Sequence, residues 1–258
     1  MLLAVDCGNT NVVFAVYDGD QFKGQWRAAT KADRTSDEYG IWLTQLMAHD
    51  GLEAKAISHA LIASVVPSKN QALEGLCEKY FKCKPMFVGD PELKLGADIK
   101  VDNPAEAGSD RVVNAFAAHT TYSGPLIIID FGTATTFDVV DKTGAYCGGC
   151  IAPGINLSME ALHMATAQLP RLPVKNPGNA PVIGTTTVAA MTSGVFWGYI
   201  GLIEGLVARI RAERGELLKV IATGGLAPLF AEATSVIEHT DQGLTMRGLL
   251  QIHKRNSW

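Results

Sequence analysis

Two short polar stretches carry residues that could do chemistry, and they share one plan. Asp6-Cys7-Gly8-Asn9-Thr10-Asn11 stands between the apolar runs Leu2-Leu3-Ala4-Val5 and Val12-Val13-Phe14-Ala15-Val16. Asp130-Phe131-Gly132-Thr133-Ala134-Thr135-Thr136 follows Leu126-Ile127-Ile128-Ile129 and leads into Phe137 to Val140. In each, an aspartate ends a predicted strand and a glycine two residues on lets the backbone come close to something. Open N–H groups, a hydroxyl and a carboxylate are what phosphates and their metal ion require. Gly, Asn and Asp are also ordinary turn residues, so for the first stretch taken alone a plain hairpin turn stands beside the phosphate reading.

Two further polar groups sit at element ends, where catalytic side chains commonly lie. Gly108-Ser109-Asp110-Arg111 opens a predicted helix, and Thr223-Gly224-Gly225 follows the strand Lys219 to Ala222. Taken locally, Asp110-Arg111 reads as a helix cap with a surface ion pair. If the two Asp-x-Gly hairpins faced each other across a cleft, they would cradle a triphosphate. Asp6 and Asp130 would hold the metal, Gly8, Gly132 and nearby hydroxyls would contact phosphate, and Gly224-Gly225 would let a nucleoside lie flat on the backbone. There is no GxxxxGK[ST], no GxGxxG after a strand and no GxSxG elbow, so P-loop, dinucleotide and simple hydrolase readings lack support.

The elements that must position these groups follow in order. After the opening hairpin come a third strand, Gln21 to Arg27, and a helix to about His49 capped by Thr35 or Ser36. A buried strand, Ala60 to Val65, precedes a helix from Lys69 to Phe81 and a strand from Pro85 to Val88. An irregular stretch from Asp90 to Gly108 leads to a helix over Ser109 to Tyr122. Beyond the second hairpin, Tyr146 to Ile151 is a strand and Asn156 to about Thr166 a helix. Pro170 to Pro181 is a loop, Thr187 to Arg214 a long helix and Leu244 to Ile252 a last helical segment.

Asp6 and Gly8 recur as Asp130 and Gly132, 124 positions on and close to half the chain length. With the repeated order of strand, polar turn and strand, this implies internal duplication of an α/β unit. The boundary is expected near residue 118, giving domains 1–118 and 119–258.

Composition narrows the class. With 22 Lys and Arg against 26 Asp and Glu, and no basic cluster, a nucleic-acid face is not suggested. No apolar run reads as a membrane span and no signal peptide opens the chain, so a cytoplasmic protein without a membrane partner is expected. Five scattered cysteines do not make a disulfide framework, and Cys147-Gly-Gly-Cys150 without a second pair is a weak zinc or redox signal. Asp138, His119 and His163 keep structural readings. Gly194, Gly198, Gly201 and Gly205 on the long helix suggest close packing, with a subunit interface as one place for it.

The paired hairpins resemble those of the actin, hexokinase and acetate-kinase superfamily. Within it the chain, from Leu3 to about Leu249, resembles the type III pantothenate kinases. The resemblance is carried by both hairpins, by Asp102-Asn103-Pro104, by Gly108 to Ala115, by Gly148 to Gly154 and by Ala222-Thr223-Gly224-Gly225. It implies two duplicated ribonuclease-H-like domains, each a mixed sheet flanked by helices, with an active-site cleft between them. It also implies ATP-dependent phosphorylation of pantothenate to 4'-phosphopantothenate, the first step of coenzyme A biosynthesis.

The same resemblance assigns roles. The first hairpin (Asp6, Cys7, Gly8, Asn9, Thr10, Asn11, Val12, Val13) binds ATP, with Asp6 meeting Mg2+ or a similar divalent ion through the phosphates. Asp110 is the base, and Gly108, Ser109 and Arg111 contact pantothenate. Asp130 holds a monovalent cation, K+ or NH4+, Thr133 reaches ATP, and Gly224 and Gly225 line the nucleoside. A homodimer completes the pantothenate site, with Thr187 as the contact at the start of the long helix and Thr185 and Thr186 as rivals for it. Two departures stand out: Ser109 replaces the usual Ala, and Val101 stands where a substrate-contacting Tyr is common. An ordinary Asp pKa of about 3.9 makes a poor base, so orienting the alcohol matters more than basicity in a loose phosphoryl transition state. Rival readings are another small-molecule kinase or polyphosphatase of the superfamily, and a non-catalytic regulatory homologue.

Overall fold

The structure is a computed structural model and describes residues 1–30 and 33–256. Its chain clusters into two compact units, Met1–Thr121 with the chain from Gly243 onward, and Tyr122–Gln242.

In the first unit β1 (Leu2–Cys7) and β2 (Asn11–Asp18) form the opening hairpin, and β3 (Gln21–Ala29) adds antiparallel to β2. On the other side of β1, β4 (His59–Ser64) and β5 (Met86–Phe87) run parallel, giving the order β3-β2-β1-β4-β5. Alternate residues of β1 point to opposite faces, and both faces are covered. Leu3, Val5 and Cys7 pack with Tyr39, Leu43 and Met47 of α1 (Ser36–His49) and Leu73 and Leu76 of α2 (Pro67–Leu76). Leu2 and Ala4 pack with Val113 of α3 (Ser109–Tyr122) and Leu249 and Ile252 of α7 (Leu244–Asn256). A strand buried on both sides has no reason to alternate polar residues, which is why β1 reads as an unbroken apolar run.

Local signals explain the helix ends. Thr35 caps α1: its hydroxyl accepts the Glu38 N–H at 3.2 Å while the Glu38 carboxylate accepts the Thr35 N–H at 2.7 Å. The helix expected over 69–81 is α-helical only to Leu76. It continues as a π-helical turn, Cys77–Phe81, and stops at Lys82, where φ is +57°.

The second unit repeats the plan. β6 (Leu126–Phe131), β7 (Ala134–Val140) and β8 (Tyr146–Pro153) are antiparallel neighbours. β9 (Lys219–Gly224) and β10 (His239–Thr240) run parallel beyond β6, in the order β10-β9-β6-β7-β8. The match extends to single residues, since β1 and β6 share one burial pattern, buried at every position except the half-buried Asp6 and Asp130. α4 (Ile155–Met164) follows β8. α5 (Thr187–Arg214) lays Phe196, Ile203 and Val207 on Ile127, Ile129 and Phe137, and α6 (Ala227–Ala231) adds Phe230, whose ring stacks 4.9 Å from that of Phe131. Burying each such large apolar side chain contributes about 1.5–3 kcal/mol.

Three features differ from the sequence reading. The chain from Gly243 onward groups with the first unit, because the apolar face of α7 (Met246, Leu249, Leu250, Ile252) packs on Leu2, Ala4 and Leu61 of the first sheet. The short elements α6 and β10 were not foreseen. α5, 28 residues long and with an 18-residue window of mean hydropathy 1.3, has the length and composition to cross a membrane, yet it is a core helix of the second unit.

Candidate active site

The first hairpin ends with Asp6 half-buried and paired in register with Val13 of β2 and Ala63 of β4. The Gly8 N–H donates to the Asn11 carbonyl at 3.0 Å and closes the turn. Thr30 braces it, its hydroxyl donating to the Gly8 carbonyl at 2.7 Å and its N–H to the Thr10 carbonyl at 3.0 Å. Asn9 and Thr10 are exposed. A β-carbon on Gly8 would meet only the Asn11 carbonyl, at an ordinary 3.5 Å. Nothing inside the protein calls for glycine there, as expected of a position kept bare for an approaching ligand.

Three residues of this motif serve differently from their neighbours. The side chains of Cys7 and Val12 are wholly buried in the core and Val13 is half-buried, so Cys7 and Val12 can offer a ligand only backbone. Burial pushes the Cys7 thiol up, against the lowering effect of its contact with the Ser64 hydroxyl. Sequence reasoning passed over Lys69 of α2, which is 9% exposed, pairs with the Asp33 carboxylate at 2.8 Å and lies within electrostatic reach of Cys7. An isolated lysine carries no motif by which it could have been found.

Ser64 ends β4 beside Cys7 and also anchors the Asp110 helix. The Ser109 hydroxyl donates to the Ser64 carbonyl at 3.0 Å, so the start of α3 is tied to the end of the strand next to the first hairpin. Asp110 lies in the first turn of α3, where one carboxylate oxygen accepts the Arg111 N–H at 2.8 Å. Burial raises the Asp110 carboxyl pKa above its ordinary value, outweighing the Arg111 N–H and guanidinium that pull it down. Gly108 makes room for it, since a β-carbon there would stand 2.7 Å from that same oxygen. The structure thus gathers Asp6, the first turn and the Gly108-to-Arg111 motif around one strand end. Val101 is half-buried in the irregular segment ahead of α3.

The second hairpin is built alike but is one residue tighter. Asp130 pairs with Thr136 of β7 and Thr223 of β9, and the Gly132 N–H donates to the Ala134 carbonyl at 3.1 Å. Gly132 and Thr133 are exposed, and the Gly154 N–H holds the Thr133 carbonyl at 3.1 Å. Gly224 turns at φ +87°, and a β-carbon on it would stand 2.8 Å from the Asp130 Oδ1. Gly225 faces open space. A carboxylate walled by glycine suits a hard cation. Among the described residues no cluster of three or more His, Cys, Asp or Glu could hold a metal by itself. A cation on Asp6 or Asp130 therefore draws its other oxygens from backbone, water or a ligand.

At the start of α5, Thr186 is the N-cap, its hydroxyl accepting the Ala189 N–H at 3.2 Å, while Thr187 is exposed at the first helical position. Cys147 and Cys150 lie on β8, half-buried against the core. Asp138 is buried and accepts from the Thr136 and Tyr146 hydroxyls at 2.8 and 3.2 Å. The His163 ring bonds to the Leu169 carbonyl at 2.7 Å. Asp138 and His163 are thus accounted for by internal bonds.

Comparison with known proteins settles the class first. A Sinorhizobium meliloti protein assigned as a 2-dehydro-3-deoxygalactonokinase superposes with a TM-score of 0.61 at 14% identity, covering 100% of this chain and 97% of that one. A Campylobacter jejuni protein assigned to the Baf family of transcriptional activators gives 0.62 at 20% identity, covering 98% of each. At such identities the likeness shows the fold alone: two duplicated ribonuclease-H-like domains.

Sequence is more specific. The model of the type III pantothenate kinase family matches residues 2–209. The type III pantothenate kinase of Paramagnetospirillum magneticum is 63% identical over 257 residues, 100% of this chain and 98% of that protein. The chain belongs to the type III pantothenate kinase family.

Proposed function

We propose that this chain transfers the γ-phosphoryl group of ATP to the primary alcohol of pantothenate, giving 4'-phosphopantothenate and ADP. The observation that carries the reading is the placement of Asp110 at a helix start bonded to Ser64, the strand end beside the first hairpin, with burial raising its pKa. The alcohol oxygen attacks the γ-phosphorus, the bond to the β,γ-bridging oxygen breaks, and the proton passes to the Asp110 carboxylate. In a loose transition state that proton leaves late, so Asp110 orients the alcohol first, and a raised pKa makes it a better acceptor when the proton goes.

The remaining residues take positioning and electrostatic roles. Asn9 to Asn11 and Thr133 present N–H groups and hydroxyls to the ATP phosphates, Gly8 lets the phosphates come close to the backbone, and Gly225 leaves room for the nucleoside. Arg111 offers a bidentate fork to phosphate or to the pantothenate carboxylate. A divalent ion such as Mg2+, met by Asp6 through the phosphates, and K+ or NH4+ at Asp130 neutralise phosphate charge when bound. The protein acts as a homodimer in the cytoplasm, with Thr187 as a further pantothenate contact.

An acceptor panel tests the reading. With ATP and Mg2+, ADP release should require pantothenate and be stimulated by K+ or NH4+. Release that proceeds equally with a hexose, or with no acceptor, would point to another member of the superfamily.

A further inference from the structure

Tyr199 of α5 is buried, at 6% exposure, and its hydroxyl lies between a group on β7 and one at the end of β8. It is 3.0 Å from the Pro153 carbonyl and in short contact with the Thr135 hydroxyl. A carbonyl only accepts, so the single phenolic hydrogen goes to Pro153, and Thr135 must donate to the Tyr199 oxygen. Both partners flank the exposed turn. Thr135 is the second residue of β7, paired with Ala152, and Pro153 ends β8, paired with Ala134. The next residue, Gly154, holds the Thr133 carbonyl through its N–H. One phenol on a distant helix thus bonds to both strands whose ends fix Thr133.

We infer that Tyr199 is a positioning residue for the phosphate-binding turn at Gly132-Thr133. This rests on the proposed use of that turn by ATP. Removing the hydroxyl leaves the buried Thr135 hydroxyl and the Pro153 carbonyl without this partner; Thr135 is two residues from Thr133, and Pro153 directly precedes Gly154, whose N–H holds the Thr133 carbonyl. The ring itself stays packed on Phe230, 5.3 Å between centroids, so Tyr199→Phe keeps the core while losing the brace.

The experiment is Tyr199→Phe in the full chain, with ATP and pantothenate varied separately, Mg-ADP affinity measured by calorimetry, and the thermal midpoint recorded. The expected result is a KM for ATP and a Kd for Mg-ADP raised roughly 5- to 20-fold, the size of one or two lost hydrogen bonds. The KM for pantothenate should stay within about twofold. Thr135→Val should reproduce the selective rise and Thr135→Ser should not, which decides the matter even if Tyr199→Phe fails to fold. The double variant Tyr199→Phe/Thr135→Val should be no worse than the more damaged single. Unchanged ATP and ADP parameters, or parallel losses in both substrates tracking a lower midpoint, would overturn the assignment. A wild-type protein that binds Mg-ADP but never phosphorylates pantothenate would refute the kinase reading instead, and the calorimetric comparison would still decide on Tyr199.

Discussion

Gly224 lies directly against Asp130: it holds φ at +87°, and a β-carbon there would stand 2.8 Å from the carboxylate oxygen and 2.6 Å from the Phe131 carbonyl. The neighbouring Gly225 meets nothing within 4 Å. The protein itself therefore requires glycine at position 224 and leaves position 225 unconstrained.

Gly224→Ala should cost about 1–2 kcal/mol for the left-handed backbone alone, before the carboxylate is displaced. The unfolding midpoint should fall by several degrees and stimulation by K+ or NH4+ should weaken. Gly225→Ala should leave stability within about 0.5 kcal/mol, as for an exposed surface change, and raise the KM for ATP. Calorimetry and a cation titration distinguish the two.

Asp110 sets a pH dependence in two opposite senses. The base must be ionised, so kcat/KM should fall as pH is lowered through its raised pKa. Stability runs the other way. A carboxyl with a folded pKa above its unfolded value of about 3.9 binds its proton more tightly when folded, so its contribution is full below that value and is lost as pH rises through the folded pKa. Asp110→Asn, neutral throughout, should therefore raise the midpoint at neutral pH while abolishing activity. Melting curves of both proteins across a pH series running upward from the unfolded value check the sign.

Ser109→Ala removes the bond to the Ser64 carbonyl. The expected loss is about 0.5–1.5 kcal/mol of stability, the ordinary net worth of one hydrogen bond. Turnover should stay within a few-fold of wild type, because Asp110 is also placed by the Arg111 N–H and by the space at Gly108. Urea denaturation and steady-state kinetics measure the two effects.

Much of this was legible in the residues. The repeat of Asp6 and Gly8 at Asp130 and Gly132 announced two units of one plan, and the sheets share strand order down to the burial of single positions. Helices with strong caps or long apolar faces, such as α1 and α5, fell where periodicity put them. The apolar face of α7 gave no sign of which sheet it covers, since Leu249 and Ile252 would suit either. α6 and β10, five and two residues long, are too short to show a period. Tyr199 escaped notice because its partners, Thr135 and Pro153, lie 64 and 46 residues away in sequence. Contacts of that range leave no local signature.

The most direct test of the account compares the wild type with Asp110→Asn for conversion of pantothenate to its phosphorylated product, with ATP, Mg2+ and K+ present. The account predicts stoichiometric product and ADP from the wild type, and a loss of roughly 100-fold or more in kcat for the variant, as expected when a positioned acid–base group is removed. Mg-ADP should still bind the variant. Turnover by the wild type no higher than that of Asp110→Asn would contradict it.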